Sequence, residues 1–255
     1  GAGSVTAGNV DAQDGAITIT SGTTTTTGDL ASADAGADGT PGGVTVTAGG
    51  DTTIGETAVD ADGISAAQGD VSIDSNTGAV TINGTTTASS GAALLTAETD
   101  LTSGDVTAQT DVELIASTGA IASGGVTATT GNADIEAETD LTSGDVSAGG
   151  AATLSAENGS VFAGVVTSGG IVDISGQTGV ELAGLTTTDN ASTASVEAAM
   201  GRVIIDDFSL RTATNTFTGE SQTAGDPSVV LGGGVLDGVA GPTEEIVLLE
   251  VNGGA

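Results

Sequence analysis

The sequence predicts an all-β protein, a right-handed parallel β-helix of about 20 residues per coil with an irregular C-terminal β cap or joint. Three repeats indicate this fold. Valine lies two positions after successive glycines, and the ten residues AETDLTSGDV occur at 97–106 and again, unchanged, at 137–146. The glycines recur every 20 residues, at Gly84, Gly104, Gly124, Gly144, Gly164 and Gly184, and the valines are Val106, Val126, Val146 and Val166.

Short segments of alternating apolar and polar residues predict the strands. Val106 and Ala108 alternate with Asp105 and Thr107, so the two kinds of side chain point to opposite faces. The same alternation predicts strands at residues 16–20, 44–47, 71–73, 80–82, 112–116, 133–137, 152–156 and 171–175. Five threonines at residues 23–27 are interpreted as a further strand, with an exposed O-glycosylated tract as the alternative. Successive coils are expected to pair in parallel, about 4.8 Å apart.

Glycine-containing pairs predict the corners between strands. Ser103-Gly104 and Thr118-Gly119 are two of them, and glycine supplies the positive φ of a tight turn without a Cβ clash. The predicted solenoid spans residues 1–199 and is most regular over residues 71–188. Each coil buries its apolar residues against its neighbours.

Residues 200–255 have a different composition and are predicted to form a capping or assembly segment. They contain both arginines of the chain and its most apolar run, EEIVLLEV at 244–251. The end of a solenoid must be covered or must pair with another chain. A closing β-structure and an intermolecular joint both fit these residues. The candidate assembly residues are Ile246, Val247, Leu248, Leu249 and Val251, with Val5 at the opposite end of the chain.

The composition excludes several classes of partner and reaction. The chain has 34 acidic and two basic residues, a net charge of −32, and neither histidine nor cysteine. Such a surface repels nucleic acid and anionic lipid, so neither nucleic-acid binding nor direct membrane insertion is expected. Without lysine, histidine or tyrosine, acid–base chemistry would depend on carboxylates alone, and we predict that the protein is not an enzyme. The acidity favours a marine or saline source.

Calcium is the only cofactor for which the sequence offers candidates. Asp60 and Asp62 have the spacing of the first ligands of an acidic calcium loop, although no glutamate follows at the later ligand position. The other aspartates, including Asp105 and Asp145, are interpreted as solvated side chains that keep a sheet edge soluble.

The coils resemble the filamentous haemagglutinin-like adhesins of bacterial two-partner secretion. The phrases that carry this resemblance are DLTSGDVTA at 100–108, GDVSAGG at 144–150 and GAITIT at 15–20, and it covers residues 1–190. It implies an extracellular or cell-surface bacterial rod that serves adhesion, a biofilm matrix or a filament. Its expected partners are other copies, joined head to tail, or surface and matrix glycans. The alternatives are a monomeric stalk of a giant adhesin and a carbohydrate-binding or carbohydrate-cleaving β-helix.

Overall fold

The computed structural model describes residues 3–33, 42–55, 63–189, 193–212, 217–221 and 229–238. These residues form 28 β-strands and no helix. The first fourteen strands are β1 Val5–Thr6, β2 Val10–Ala12, β3 Ile17–Ser21, β4 Thr25–Thr27, β5 Leu30–Ser32, β6 Val44–Ala48, β7 Thr52–Ile54, β8 Ile64–Ala66, β9 Val71–Ser75, β10 Val80–Ile82, β11 Thr86–Ala88, β12 Ala93–Ala97, β13 Leu101–Ser103 and β14 Val106–Ala108. The others are β15 Val112–Ala116, β16 Ile121–Ser123, β17 Val126–Ala128, β18 Ala133–Ala137, β19 Leu141–Ser143, β20 Val146–Ala148, β21 Ala152–Ala156, β22 Ser160–Ser168, β23 Val172–Gly176, β24 Gly179–Thr187, β25 Ala194–Ala198, β26 Val203–Thr212, β27 Phe217–Ser221 and β28 Val229–Gly238.

The strands stack in three parallel ladders, which confirms the predicted parallel β-solenoid. The five-residue ladder has ten strands and hence about nine turns. Each early coil adds two strands of two or three residues, one to a first and one to a second short ladder. The five-residue ladder is β3, β6, β9, β12, β15, β18, β21, β23, β25 and β27; the first short ladder is β1, β4, β7, β10, β13, β16 and β19; the second is β2, β5, β8, β11, β14, β17 and β20.

The two short ladders merge at β22. This nine-residue strand pairs with β19 through Val161 and with β20 through Val166. Above it, β24, β26 and β28 continue as single strands of nine or ten residues. We call residues 5–156 the three-sided region and residues 160–238 the fused region.

Inward-pointing aliphatic side chains form one continuous core. Leu101, Leu114 and Ile135 are fully buried, and the same columns hold aliphatic residues in nearly every coil. The last inward position of each five-residue strand is alanine, serine or glycine in all ten strands. The interior is therefore a narrow stack in which each coil covers the next.

Most predicted strands lie where the alternation put them. The strands β10, β15, β18 and β21 have the predicted bounds, whereas β3 and β23 begin one residue later. The threonine run contains a strand, β4, which begins at Thr25. The change of composition near Met200 is not accompanied by a break in the ladders, because β26, β27 and β28 all pair in parallel with strands before them.

Candidate functional site

The repeating glycines allow close approach between coils, and the prediction of positive φ at these positions was wrong. Among the described residues, positive φ occurs at Gly15, Gly55, Gly63 and Gly69, none of which belongs to the 20-residue series. A Cβ on Gly104 would lie 2.5 Å from the carbonyl oxygen of Gly84, closer than Cβ atoms approach other atoms. Gly104 is therefore required because neighbouring coils touch there.

Aspartates at the corners form hydrogen bonds between successive coils. The exposed Asp105 lies just before β14, and its Oδ1 accepts a 2.7 Å hydrogen bond from the backbone N–H of Gly125, directly above it. Asp145 accepts a 2.8 Å bond from the N–H of Val165 in the same way. The corresponding pairs are Asp29 with Gly63, Asp51 with Ala79, Asp70 with Ala92, Asp100 with Ala120, Asp111 with Asn132 and Asp140 with Ser160.

Seven of these eight aspartates, all except Asp29, lie beneath a glycine in the coil above. A Cβ on Gly124 would lie 2.9 Å from the backbone nitrogen of Asp105 and closer still to its Oδ1. Gly119 is placed likewise above Asp100, and Gly164 above Asp145. The sequence therefore carries a paired signal, an aspartate before a strand and a glycine nineteen residues later, at Asp100, Asp105, Asp140 and Asp145, and sequence reasoning missed it. The interpretation of Asp105 and Asp145 as merely solvated side chains was incomplete.

Within a column of described residues, corner aspartates never occupy adjacent coils. In the column before the second short ladder, Asp105, Gly125, Asp145 and Val165 follow one another. The column before the first short ladder contains Asp51, Ala79, Asp100, Ala120, Asp140 and Ser160. Consecutive aspartates would hold like charges about 4.8 Å apart. Alternation explains why the identical segments 97–106 and 137–146 lie two coils apart, not one.

Asp134 is the one described carboxyl group with a resolved pKa shift. It points outward from β18, directly beside Glu113 of β15. Partial burial and, second, the charge of Glu136 raise the pKa of Asp134 above its ordinary value. Its Oδ1 has no hydrogen-bond partner among the described residues. The ionised carboxylate of Asp134 therefore destabilises the sheet locally.

Two shallow acidic grooves run beside the five-residue ladder. One has a volume of about 240 Å³ and the other of about 210 Å³, and they share Ser155 and Glu157. The groove of about 240 Å³ also contains Gln177 and Glu197, and the groove of about 210 Å³ contains Glu136 and Glu138. Within the described ranges no three acidic side chains converge as metal ligands would. The grooves offer carboxylates and hydroxyls as hydrogen-bonding groups.

The N-terminal coil has an open edge. The strands β1, β2 and β3 each pair on one side only with a described strand. Val5, Val10 and Ile19 are partly exposed there, whereas Val46, which covers Ile19, is fully buried. The predicted assembly residue Val5 thus lies at a sheet edge that no other described strand covers.

The remaining predicted site residues lie outside the described residues. They are the calcium candidates Asp60 and Asp62 and the assembly candidates Ile246, Val247, Leu248, Leu249 and Val251. Calcium binding at the former and assembly through the latter stay predictions. Over the described ranges, no helix is long and apolar enough to cross a bilayer.

Comparison of the chain with protein-family models, with curated proteins and with solved structures finds no match. The fold and the corner geometry are therefore the basis on which a function can be proposed.

Proposed function

We propose that this protein is a non-enzymatic structural rod, an extracellular adhesin-like β-solenoid whose copies join end to end into filaments or matrix fibres. The observation that carries the proposal is the open N-terminal edge. An unpaired strand edge with partly exposed apolar side chains is a template for another strand. Val5, Val10 and Ile19 provide those side chains, and the backbone groups that point away from the second coil provide the hydrogen bonds.

The use of the charged residues supports a structural role. Eight corner aspartates accept backbone hydrogen bonds from the next coil, and the carboxylates of the grooves have no histidine or lysine beside them, because the chain contains neither. General acid–base catalysis needs groups with separated pKa values placed around one reacting centre. A net charge of −32 favours solubility in saline surroundings and partners other than nucleic acid or membrane.

Electron microscopy of the concentrated protein tests this function. We expect unbranched fibres one solenoid wide. Val5→Asp should abolish them by placing a charge at the open edge, while circular dichroism of the monomer stays unchanged. Ile171→Asp is the matched control, since Ile171 is an exposed apolar side chain outside the N-terminal edge, and it should leave the fibres intact. Isolated short rods of the unaltered protein at every concentration would favour the monomeric stalk instead.

Glycan binding is the second candidate function, favoured by the acidic grooves. Glu138, Glu157 and Gln177 line them with side chains that accept hydrogen bonds from sugar hydroxyls. Titration with neutral and amino-sugar oligosaccharides should then give a binding signal that Glu157→Ala weakens. Unchanged binding in that variant, or no binding by the unaltered protein, would remove this candidate.

A further inference from the structure

The two sheets of the solenoid differ by one level in the described part of the chain. The 18-strand sheet consists of the two short ladders together with β22, β24, β26 and β28. From β1 to β28 it has eleven levels, each paired with the next. The five-residue ladder has ten strands, from β3 to β27. Because β1 and β2 precede β3 and β28 follows β27, the 18-strand sheet extends further at both ends.

This difference decides which strands can meet when copies stack end to end. If β3 of one copy paired with β27 of another, β1 and β2 of the first copy would occupy the level of β28 of the second. Two backbones cannot share one level, since neighbouring strands lie about 4.8 Å apart. If β1 and β2 stack on β28 instead, no strands overlap, and β3 and β27 are left about 9.6 Å apart. Among the described strands, only the 18-strand sheet can therefore be continuous across such a joint.

The backbone register of β28 matches that of β1 and β2. Two columns of paired residues run through all eleven levels, and they begin at Val5 and Val10 and end at Val229 and Gly234. The residues of each end pair are five positions apart in the sequence. Inside the chain, the long strand β22 already pairs with two short strands, β19 and β20. At the joint, two short strands would pair in the same way with one long strand, on its opposite edge.

Backbone N–H groups of β1 and β2 point toward the position of such a partner. The N–H of Val5 donates a 2.9 Å hydrogen bond to the next coil of its own chain, and the N–H of Val10 donates one of 2.8 Å. Because the direction of the N–H alternates along a strand, the N–H groups of Thr6 and Asp11 point away from that coil. They are therefore the donors that a strand of a second copy would meet.

We infer that copies join through the 18-strand sheet alone, with β1 and β2 of one copy stacked on β28 of another in the register Val5 to Val229 and Val10 to Gly234. The inference rests on the proposed end-to-end assembly and specifies its joint. β3 and β27 do not pair with each other across this joint, so the five-residue ladder is interrupted once per copy.

The axial repeat of fibres of the full chain, measured by cryo-electron microscopy, tests the joint. Eleven levels spaced about 4.8 Å apart give a repeat of about 53 Å. Pairing of β3 with β27 would instead make the ten strands of the five-residue ladder the repeating unit, with a repeat of about 48 Å.

Proline variants test which backbone edge is used. Thr6→Pro and Asp11→Pro each remove an N–H that faces the joint, and proline is tolerated where the N–H of an edge strand is free. Each should raise the protein concentration needed for fibres about tenfold. Thr18→Pro is the matched control: the N–H of Ile17 donates to Gly43 at 2.9 Å, so the N–H of Thr18 faces the interruption beside β3. It should leave that concentration unchanged.

We expect a repeat of about 53 Å and impaired assembly in Thr6→Pro and Asp11→Pro only. Any other repeat would overturn the joint and leave end-to-end assembly standing, as would a Thr18→Pro variant impaired like the other two or edge variants that assemble normally. The absence of fibres from the unaltered protein would overturn the proposed assembly itself. Circular dichroism checks the fold of each variant, and if one does not fold, the axial repeat of the unaltered fibres still decides.

Discussion

The three-sided and fused regions share one period but differ in cross-section. In the three-sided region Gly104 and Asp105 separate β13 from β14, and Gly144 and Asp145 separate β19 from β20. In the fused region Gly164 and Val165 lie inside β22. The glycine is common to both, so it does not by itself make a corner. The comparison indicates that the following residue matters. That residue is threonine, aspartate or glycine at the four corners (Thr85, Asp105, Gly125 and Asp145), and valine or leucine (Val165 and Leu185) where the strand runs through.

The regions also differ in their buried hydroxyls. Thr27, Thr52 and Thr86 of the three-sided region have buried Oγ1 atoms without a hydrogen-bond partner in the described part of the chain. In the fused region the buried Ser168 hydroxyl donates to the carbonyl of Gly150 at 2.8 Å. Among the described residues, all the buried hydroxyls without a hydrogen-bond partner thus lie in the three-sided region.

The largest effect should come from the ladder that both regions share. Leu114→Ala in β15 and Ile174→Ala in β23 each remove a fully buried side chain from the same column. Each should lower the free energy of unfolding by about 2–5 kcal/mol, measured in urea. Ile115→Ala, which points outward from β15, is the control and should cost less. Very unequal losses at the two buried sites would show that the regions differ in more than their corners.

Adding one methyl group should distinguish a repeating glycine that lies above a corner aspartate from one that does not. Gly124→Ala forces a Cβ against the backbone and carboxylate of Asp105 and should destabilise the protein by about 1–3 kcal/mol. Gly184→Ala meets the methyl groups of Val165, at 3.3 and 3.4 Å, and the carbonyl oxygen of Asp207, at 3.5 Å, and should change stability by less than about 1 kcal/mol. Thermal unfolding measures both variants. Equal effects would mean that close approach is not what requires these glycines.

Thr86→Val should stabilise the three-sided region. The substitution replaces a fully buried, unsatisfied hydroxyl by a methyl group in a column where Ile64 and Val106 are its neighbours. The expected gain is about 1–2 kcal/mol in urea unfolding. Ser168→Ala in the fused region is the contrasting variant and should destabilise, because it removes a hydroxyl that is bonded. A loss of stability in Thr86→Val would contradict the absence of a partner.

Removing an aspartate carboxylate should destabilise the protein only where that carboxylate accepts a hydrogen bond from the next coil. Asp105→Ala removes the acceptor for the N–H of Gly125 and should cost about 0.5–1.5 kcal/mol. Asp105→Asn keeps the acceptor oxygen and should lose less. Asp207→Ala removes an exposed aspartate of the fused region and should change little in the same unfolding assay. If Asp105→Asn were as damaging as Asp105→Ala, the charge would matter more than the bond.

The smallest effect should be a pH-dependent gain in Asp134→Asn. Because the pKa of Asp134 is raised in the folded protein, its ionised form destabilises the fold above that pKa. The penalty disappears as pH falls below the ordinary aspartate value of about 3.9. The variant should be more stable than the unaltered protein at neutral pH by about 0.2–1 kcal/mol, and the difference should close in acid. Thermal melts at pH 3 and pH 7, with Asp173→Asn as control, measure it.

The sequence predicted the coil, the parallel stacking and many strand bounds, because burial alternates along each strand. Val112 and Leu114 face the core while Glu113 does not, and the alternation of apolar and polar residues in the sequence predicts this. The fusion at β22 was not predicted, since Gly164 lies on the same 20-residue series as Gly104. Whether the backbone turns after Gly164 depends on contacts between neighbouring coils. The repeat pattern along the sequence does not record those contacts.

The role of the corner aspartates was missed for a related reason. Asp105 and the N–H of Gly125 are twenty residues apart, and only the register of neighbouring coils brings them together. Composition suggested that Asp105 is a solvated charge. The side chain is indeed exposed, but it also accepts a hydrogen bond from the next coil. The paired spacing of aspartate and glycine could have revealed the contact, had the period been applied to polar residues as well as to apolar ones.

The alternation of corner aspartates also sets how the rod behaves as a polyelectrolyte. Charges in one corner column, such as Asp105 and Asp145, are two coils or about 9.6 Å apart. This spacing is close to the Debye length of about 8–10 Å at moderate ionic strength. Repulsion between the aspartates of one column is therefore largely screened in salt water, and it grows as the salt concentration falls. Lowering the salt concentration should then stiffen the rod and push neighbouring rods apart, whereas adding salt should let them pack side by side.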